Sequence, residues 1–521
     1  MHRASEKRFN KLIESFSTQG KLMHVHKLLG RAAQLWPDRS MVICGDDEIT
    51  YAHVHKRAQL LAKILQQKGV HKGDRVLIFY ENSIEFYVAY FAVWYAGAIV
   101  TPLNVFLSEH ELRQIIHDAQ PKVLIISPTL SPKLATFPQA ELPHILSHID
   151  IKTELPSKVE EVVMTEEQDE DDTVALLYTS GTTGFPKGVM LTSKNIMTNT
   201  LQGVSSFEVG KSERIFCPLP LFHSLPQNVC VWGIMIVGAT AILVPKIDRR
   251  SILRGIEHNP TIVIAVPAVY GLFCMLKTIQ FGAVKYFVAG GDALSDKIRA
   301  FFAMIYGRKI ANGYGLTETS PFISVDFDDY TQPTNTIGRP IHGINYEIRD
   351  EQGKVVPQGS IGVLWVTGNN IMKGYYNAPE ATQEVLKNGW LNTGDLAYNT
   401  PEGKVVLAGR ERDLISNKGL KIYPQEIENI LLSHPAVLQA GVIGVALEGD
   451  EEVPVAYVGT KEPEDHYDEL IEKLRIICQR NLASYKVPRQ FYVVRELTVT
   501  TTGKVDKKIL RKEHENVIKD S

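Results

Sequence analysis

Val174-Ala175-Leu176-Leu177-Tyr178-Thr179-Ser180-Gly181-Thr182-Thr183-Gly184-Phe185-Pro186-Lys187-Gly188 reads as an apolar strand running into a glycine- and hydroxyl-rich loop that ends on a lysine. A loop so placed suits a phosphate. Gly181 and Gly184 let the backbone approach closely, N–H groups and the hydroxyls of Thr179, Ser180, Thr182 and Thr183 donate, and Lys187 adds positive charge. It is not a Walker A loop, whose lysine is followed by serine or threonine, because here Pro186 precedes Lys187 and Gly188 follows it. Composition alone is also that of an ordinary turn.

On the N-terminal side, the short apolar runs Arg75-Val76-Leu77-Ile78-Phe79 and Val123-Leu124-Ile125-Ile126 alternate with helix-like segments, the rhythm of crossover-linked parallel strands. Asn82 with Glu85 and Ser108 with Glu111 have reciprocal capping spacing, and Leu112, Ile115, Ile116 and Ala119 mark one apolar helix face. Glu166-Glu167-Gln168-Asp169-Glu170-Asp171-Asp172 reads as a solvated connector in which like charges repel. Beyond Arg410 the pattern becomes that of a smaller α+β unit. It has helices over 424–432 and 469–482 and apolar runs over 440–445 and 454–458, with Pro424 suited to a helix start.

A chain of 521 residues, 44% of them hydrophobic, can bury a large core and divide into domains. Its net charge of −3, with lysine and arginine scattered, leaves no nucleic-acid footprint. Cys44, Cys217, Cys230, Cys274 and Cys478 lack metal-type spacing and fit a reducing compartment. The charged N-terminus leads into no signal-type core. The apolar stretches 86–102 and 229–245 are interrupted by glycine and fall short of the roughly 20 residues of a spanning helix, so both are expected in the core. The expected location is cytoplasmic, with peripheral membrane contact left open.

Taken residue by residue, 178–189 resembles the signature loop of the adenylate-forming superfamily, which includes acyl-CoA synthetases, 4-coumarate-CoA ligases, beetle luciferases and peptide-synthetase adenylation domains. Further resemblances follow in order along nearly the whole chain. Asn312-Gly313-Tyr314-Gly315-Leu316-Thr317-Glu318-Thr319 resembles the family's second core motif, which implies that Tyr314 packs on adenine and that Glu318, with the Thr179 hydroxyl, lies nearest Mg²⁺. Thr393-Gly394-Asp395 and Gly409-Arg410 resemble the ribose-binding pair. Leu219-Pro220-Leu221-Phe222-His223 resembles the segment whose histidine borders the acyl pocket. Ala289-Gly290-Gly291-Asp292-Ala293-Leu294 resembles the glycine turn between adenine and acyl group, although many relatives have Ala-Pro at 292–293. Thr501-Thr502-Gly503-Lys504 resembles the motif whose lysine bridges the substrate carboxylate and α-phosphate, where a cation relieves repulsion between two anions.

The resemblance implies an α/β fold: a large multi-subdomain N-terminal adenylation domain, 1–411, and a small mobile α+β C-terminal lid domain, 412–521. It implies activation of a carboxylic acid by ATP and Mg²⁺ to acyl-AMP, then transfer to coenzyme A. Catalytic roles fall to Lys504, His223 and Glu318. The nucleotide falls to Thr179, Ser180, Gly181, Thr182, Thr183, Gly184, Lys187, Gly290, Gly291, Asn312, Gly313, Tyr314, Gly315, Thr317, Asp395 and Arg410. An acyl carrier protein as acceptor, an inactive nucleotide-binding relative and a homodimer stay open. Arg412 stands at the hinge position, where relatives mostly have Asp or Lys, and Ser193 stands where many have His. Amino-acid-activating relatives carry an aspartate at the place of His223, because a buried ammonium needs a partner, so a free amino acid is not expected. Val229, Cys230, Val231 and Trp232, with residues 264–269, are expected to line an apolar acyl pocket, with a medium or long fatty acid preferred to an aryl acid.

Overall fold

A computed structural model describes residues 2–147, 162, 167–179, 186–246, 248–277, 279–327, 336–417, 420–446, 452–499 and 505–520. The protein is a mixed α/β molecule with a large N-terminal part and a smaller C-terminal one.

Three sheets organise the N-terminal part. The first orders its strands Gly374–Tyr375, Lys187–Thr192, Thr173–Thr179, Ile99–Pro102, Arg75–Phe79, Val123–Ile126 and His144–Leu146. Its inner strands are parallel and buried, as the continuous apolar runs predict. The second sheet orders Phe322–Asp326, Ala311–Gly315, Tyr286–Ala289, Ile262–Ala265, Arg214–Phe216, Thr240–Leu243, Ser40–Cys44 and Asp47–Thr50. Its central strands are all parallel, so their C-terminal ends share one edge of the molecule. The third sheet is antiparallel and carries Trp390–Asn399 beside Val405–Arg410.

Helix Ile84–Tyr95 is buried except at Glu85, strand Ile99–Pro102 is buried throughout, and so are most residues between Gln227 and Leu243. Both apolar stretches are therefore core, and no helix among the described residues is long and apolar enough to cross a membrane. Ser108 and Glu111 form the expected reciprocal cap, and Leu112, Ile115, Ile116 and Ala119 are the buried face of that helix. Asn82, in contrast, is not a helix cap. Ser83 takes that place, its hydroxyl accepting from the Phe86 N–H, while the buried Asn82 amide donates to the Leu219 and Val244 carbonyls and accepts from the Leu221 N–H. Its partners lie near the ends of second-sheet strands, so Asn82 bridges the first sheet to the second instead of closing a helix turn.

The acidic connector is also held more firmly than repulsion suggests. Asp169 pairs with Lys21 at 3.3 Å, Glu170 with Lys194 at 3.0 Å and Asp172 with Lys72 at 2.7 Å; Glu166 lies outside the described residues. Ser193, the departure from the family pattern, is buried and its hydroxyl accepts the Val25 N–H at 3.1 Å, tying down the N-terminal segment.

The C-terminal part is a three-stranded sheet, Val437–Ala446, Glu452–Thr460 and Gln490–Val494, with helices Pro424–Ser433, Tyr467–Asn481 and Lys507–Asp520. Ile422, Ile427, Leu431, Val442, Val458 and Leu474 form a core cluster of its own. Pro424 stands at its helix start as expected. Arg412 lies in a short 3₁₀ turn, and its neighbour Asp413 pairs with Arg511 at 2.9 Å. The five cysteines are free thiols, as the spacing implies.

Candidate active site

The strand Thr173–Thr179 and the strand Lys187–Thr192 are antiparallel neighbours, with Thr179 paired to Lys187. The two strands form an antiparallel pair in which Lys187 and Gly188 open the returning strand. Ser180, Gly181, Thr182, Thr183 and Gly184 lie outside the described residues, as does Lys504. At the end of the first strand, the Tyr178 hydroxyl donates to Asp118 at 2.6 Å, and the Thr179 hydroxyl faces the Lys187 carbonyl at 3.5 Å. Gly188 packs closely on its neighbour strand, where a Cβ would stand 2.8 Å from Leu176 Cδ1 and oblige that side chain to shift.

Strand Gly374–Tyr375 pairs with the outer side of that returning strand, Tyr375 opposite Val189. Lys187 and Val189 point to one face because they are two residues apart, and paired residues share a face, so Tyr375 and Lys187 meet. The Lys187 ammonium stands 5.3 Å from the Tyr375 ring centroid. The Tyr375 hydroxyl donates to Glu318 at 2.9 Å. Burial, and secondly the Glu318 carboxylate, push the Tyr375 phenol far above its ordinary pKa, so it is a neutral donor. Thr179, Lys187, Tyr375 and Glu318 therefore form one cluster.

A second cluster follows from strand register. Asp395 and Arg410 are paired across the strands Trp390–Asn399 and Val405–Arg410. Arg410 Nε lies 2.7 Å from Asp395 Oδ1, and the Tyr314 hydroxyl donates to Oδ2 at 2.5 Å. Each carboxylate oxygen keeps a second lone pair for a further hydroxyl. Gly394, with φ of 67°, sits in the left-handed region that favours glycine, and Asp395 is held by its N–H bond to the Thr393 hydroxyl. Burial, then Asp395, push the Tyr314 phenol well above its ordinary pKa.

The second sheet supplies the space between. A cavity of about 450 Å³ runs along the C-terminal ends of its parallel strands, where open α/β sheets bind ligands. Gly290, Gly291, Gly313, Tyr314, Gly315 and Thr317 line one end, and Asp248, Arg249 and Ile252 the other. The glycines are required by close approach: a Cβ on Gly315 would meet the Pro321 carbonyl at 1.9 Å, and Gly291 has φ of 82°. His223 also lines the cavity, its ring against Phe222 with centroids 4.3 Å apart. Its Nε2 is buried without a hydrogen-bond partner, and desolvation lowers its pKa to about 4, so it is neutral at pH 7.

Asn312 is buried, and its amide donates to the Thr336 carbonyl at 2.8 Å, bracing the strand Ala311–Gly315 that carries Tyr314. One expectation needs correction: Val229, Cys230, Val231 and Trp232 do not line the cavity. They lie in a π-helical turn, Gln227–Trp232, that turns them into the core, where Trp232 donates to the Tyr90 hydroxyl. Of the expected lining, Ile264, Val266, Ala268 and Val269 are present.

Two family models match the chain, AMP-binding enzyme over residues 29–376 and AMP-binding enzyme C-terminal domain over residues 426–504. The chain belongs to the AMP-binding enzyme family. A long-chain-fatty-acid–CoA ligase of Bacillus subtilis (strain 168) is 30% identical to this AMP-binding enzyme, over 94% of this chain and 95% of the relative. The structure of an anthranilate CoA ligase in complex with anthranoyl-AMP superposes with a TM-score of 0.85 at 25% identity, covering 94% of this chain and 97% of the other. The O-succinylbenzoate coenzyme A synthetase of Bacillus subtilis, solved with ATP and magnesium ion, gives 0.82 at 28% identity, covering 93% and 99%. The AMP-binding enzyme is an acid–thiol ligase of the AMP-forming type.

Sequence reasoning about this AMP-binding enzyme missed Tyr375 and the far end of the cavity. The signal for Tyr375 was a faint one, Gly374-Tyr375-Tyr376 between Lys373 and Asn377. Asp248 and Arg249 read as an ordinary helix start, which Asp248 also is, since its carboxylate accepts the Ser251 N–H.

Proposed function

We propose that the protein uses MgATP to convert a carboxylic acid with an apolar body into its acyl-adenylate, and then transfers the acyl group to the thiol of coenzyme A with release of AMP. The observation that carries this reading is one apolar cavity lined at its end by Tyr314, whose hydroxyl donates to the Asp395 carboxylate that Arg410 pairs with.

Asp395 accepts ribose hydroxyls while Arg410 and Tyr314 hold its carboxylate in place. Tyr314 borders adenine, and Gly290, Gly291, Gly313 and Gly315 give the nucleotide and acid their close approach. Lys187, with residues 180–184, binds the phosphates. Glu318 and the Thr179 hydroxyl are oxygen donors, and no group of three acidic, histidine or cysteine side chains suited to a metal occurs among the described residues. That sparse set fits Mg²⁺, which binds through one or two carboxylates together with substrate phosphates and water. When bound, the ion neutralises phosphate charge as pyrophosphate leaves. Neutral His223 lines the acid's path as a gate, and Lys504 bridges carboxylate and α-phosphate as the attacking oxygen closes on phosphorus. The boundary between nucleotide domain and mobile lid falls at 411/412.

The acid end is lined by Leu225, Ile252, Ile264, Val266, Val269 and Leu272, which favours a medium or long fatty acid. An aryl acid is the second reading, supported by likeness to the anthranilate CoA ligase. Pyrophosphate release with a panel of alkyl and aryl acids, with and without CoA, and mass detection of the thioester test the proposal. Lys504→Ala is expected to abolish acid-dependent pyrophosphate release while leaving CoA attack on supplied acyl-AMP largely intact. No release with any acid refutes the reaction, and release with thioester formed only on a carrier protein refutes CoA as acceptor.

A further inference from the structure

Tyr375 belongs to none of the motifs described above, yet it touches two groups of the phosphate cluster at once. Its hydroxyl donates to Glu318 at 2.9 Å, and its ring lies under the Lys187 ammonium at 5.3 Å. We propose that Tyr375 is a positioning residue that sets the Glu318 carboxylate and the Lys187 ammonium in register with the triphosphate and its cation; the proposal rests on the MgATP reading above.

The surroundings fix this side chain from several directions. The two-residue strand pairs with strand Lys187–Thr192 at Val189 and Met190, and the Tyr375 N–H donates to the Thr382 hydroxyl at 2.9 Å. Gly374, with φ of 148°, leaves no room for a Cβ, which would stand 2.9 Å from Thr382 Cγ2. Glu318 is tied to the same segment through its backbone, its carbonyl accepting the Met372 N–H at 2.9 Å. Its loop is braced again by Asn370, whose amide donates to the Thr319 carbonyl, and by Asn228, which donates to the Ser320 carbonyl. The chemistry follows from geometry. A carboxylate near polyphosphate is repelled by it until a cation arrives, and the phenol O–H holds it in place in the meantime. The same ring offers Lys187 a π face, which orients the ammonium without neutralising it, as a carboxylate partner would. One residue thus serves an anion and a cation that must stand side by side before the substrate enters.

The test uses the full chain and ATP without any acid, so that binding is read and no turnover occurs. Calorimetric ATP affinity is measured in EDTA and then across a Mg²⁺ titration. Tyr375→Phe keeps the ring and loses the hydroxyl, so it is expected to raise the half-saturating Mg²⁺ about tenfold while leaving the EDTA affinity unchanged. Tyr375→Leu loses the ring as well, and is expected to weaken ATP binding in EDTA by about threefold in addition. Glu318→Gln combined with Tyr375→Phe is expected to be no worse than Glu318→Gln alone. A Tyr375→Phe titration matching wild type, identical behaviour of the Phe and Leu variants, or strict additivity with Glu318→Gln overturns the proposal. Wild-type protein that binds ATP equally with and without Mg²⁺ overturns the MgATP reading itself. Unchanged EDTA affinity in Tyr375→Phe certifies that this variant is folded.

Discussion

Replacing Asn82 by alanine separates two physical accounts of that residue. If it were a helix cap, its loss would cost about 1 kcal/mol. The structure gives it three buried bonds instead: donation to the Leu219 carbonyl at 2.9 Å and the Val244 carbonyl at 3.2 Å, and acceptance from the Leu221 N–H at 2.8 Å. Alanine orphans those three backbone groups, and at about 1 kcal/mol or somewhat more for each the total is roughly 3–4 kcal/mol. For about 400 residues unfolding together the entropy is near 0.85 kcal/mol/K, so the midpoint should fall by about 4–5 °C. Because Leu219 and Pro220 also line the cavity, KM for the acid should rise several-fold while KM for ATP stays put. Differential scanning calorimetry and steady-state kinetics read both quantities. Ser83→Ala, which removes the actual cap, is the control, with a shift near 1 °C and no kinetic effect. A midpoint drop for Asn82→Ala no larger than that of the control, with unchanged KM, would refute the bridging account.

His223 makes stability depend on pH. Its pKa in the fold is lowered to about 4 by burial, against an ordinary value of about 6.5, so the unfolded chain takes up its proton first as pH falls. Its contribution is therefore complete above about pH 6.5 and lost progressively toward pH 4, reaching about 2 kcal/mol by pH 5. His223→Gln should flatten that part of the curve, seen as a smaller change in urea midpoint between pH 7.5 and pH 5. Gly315→Ala places a Cβ 1.9 Å from the Pro321 carbonyl, whereas Gly313→Ala meets the Ala289 carbonyl at 3.2 Å. The first should abolish acid-dependent pyrophosphate release and the second only reduce it; equal activities would contradict the close approach.

The residues legible in the sequence were those whose meaning is local. The strand before Thr179, the capping box at Ser108 and the helix at Pro424 each depend on neighbours within a few positions, and all stand where the spacing puts them. Asp395 and Arg410 could be paired because two adjacent strands bring them opposite each other. What failed was anything decided by distant packing. Asn82 has cap chemistry, yet its partners lie near residues 220 and 244. Val229 to Trp232 are apolar enough to line a pocket, but a π turn faces them inward. Tyr375 gains its meaning only when a two-residue strand docks on strand Lys187–Thr192 from nearly two hundred residues away.

The cavity crosses the sheet instead of running along a strand. Its lining visits the ends of Ala311–Gly315, Tyr286–Ala289 and Ile262–Ala265 and the residues just beyond Arg214–Phe216, in their order in the sheet. Neighbouring strands are spaced by about 4.8 Å, so these four termini are divisions of a ruler about 14 Å long. A guest lying along it is measured in steps that the backbone hydrogen bonds fix, and no rotamer change can alter them. Side chains such as Ala268 and Leu272 decide only at which mark the ruler is cut.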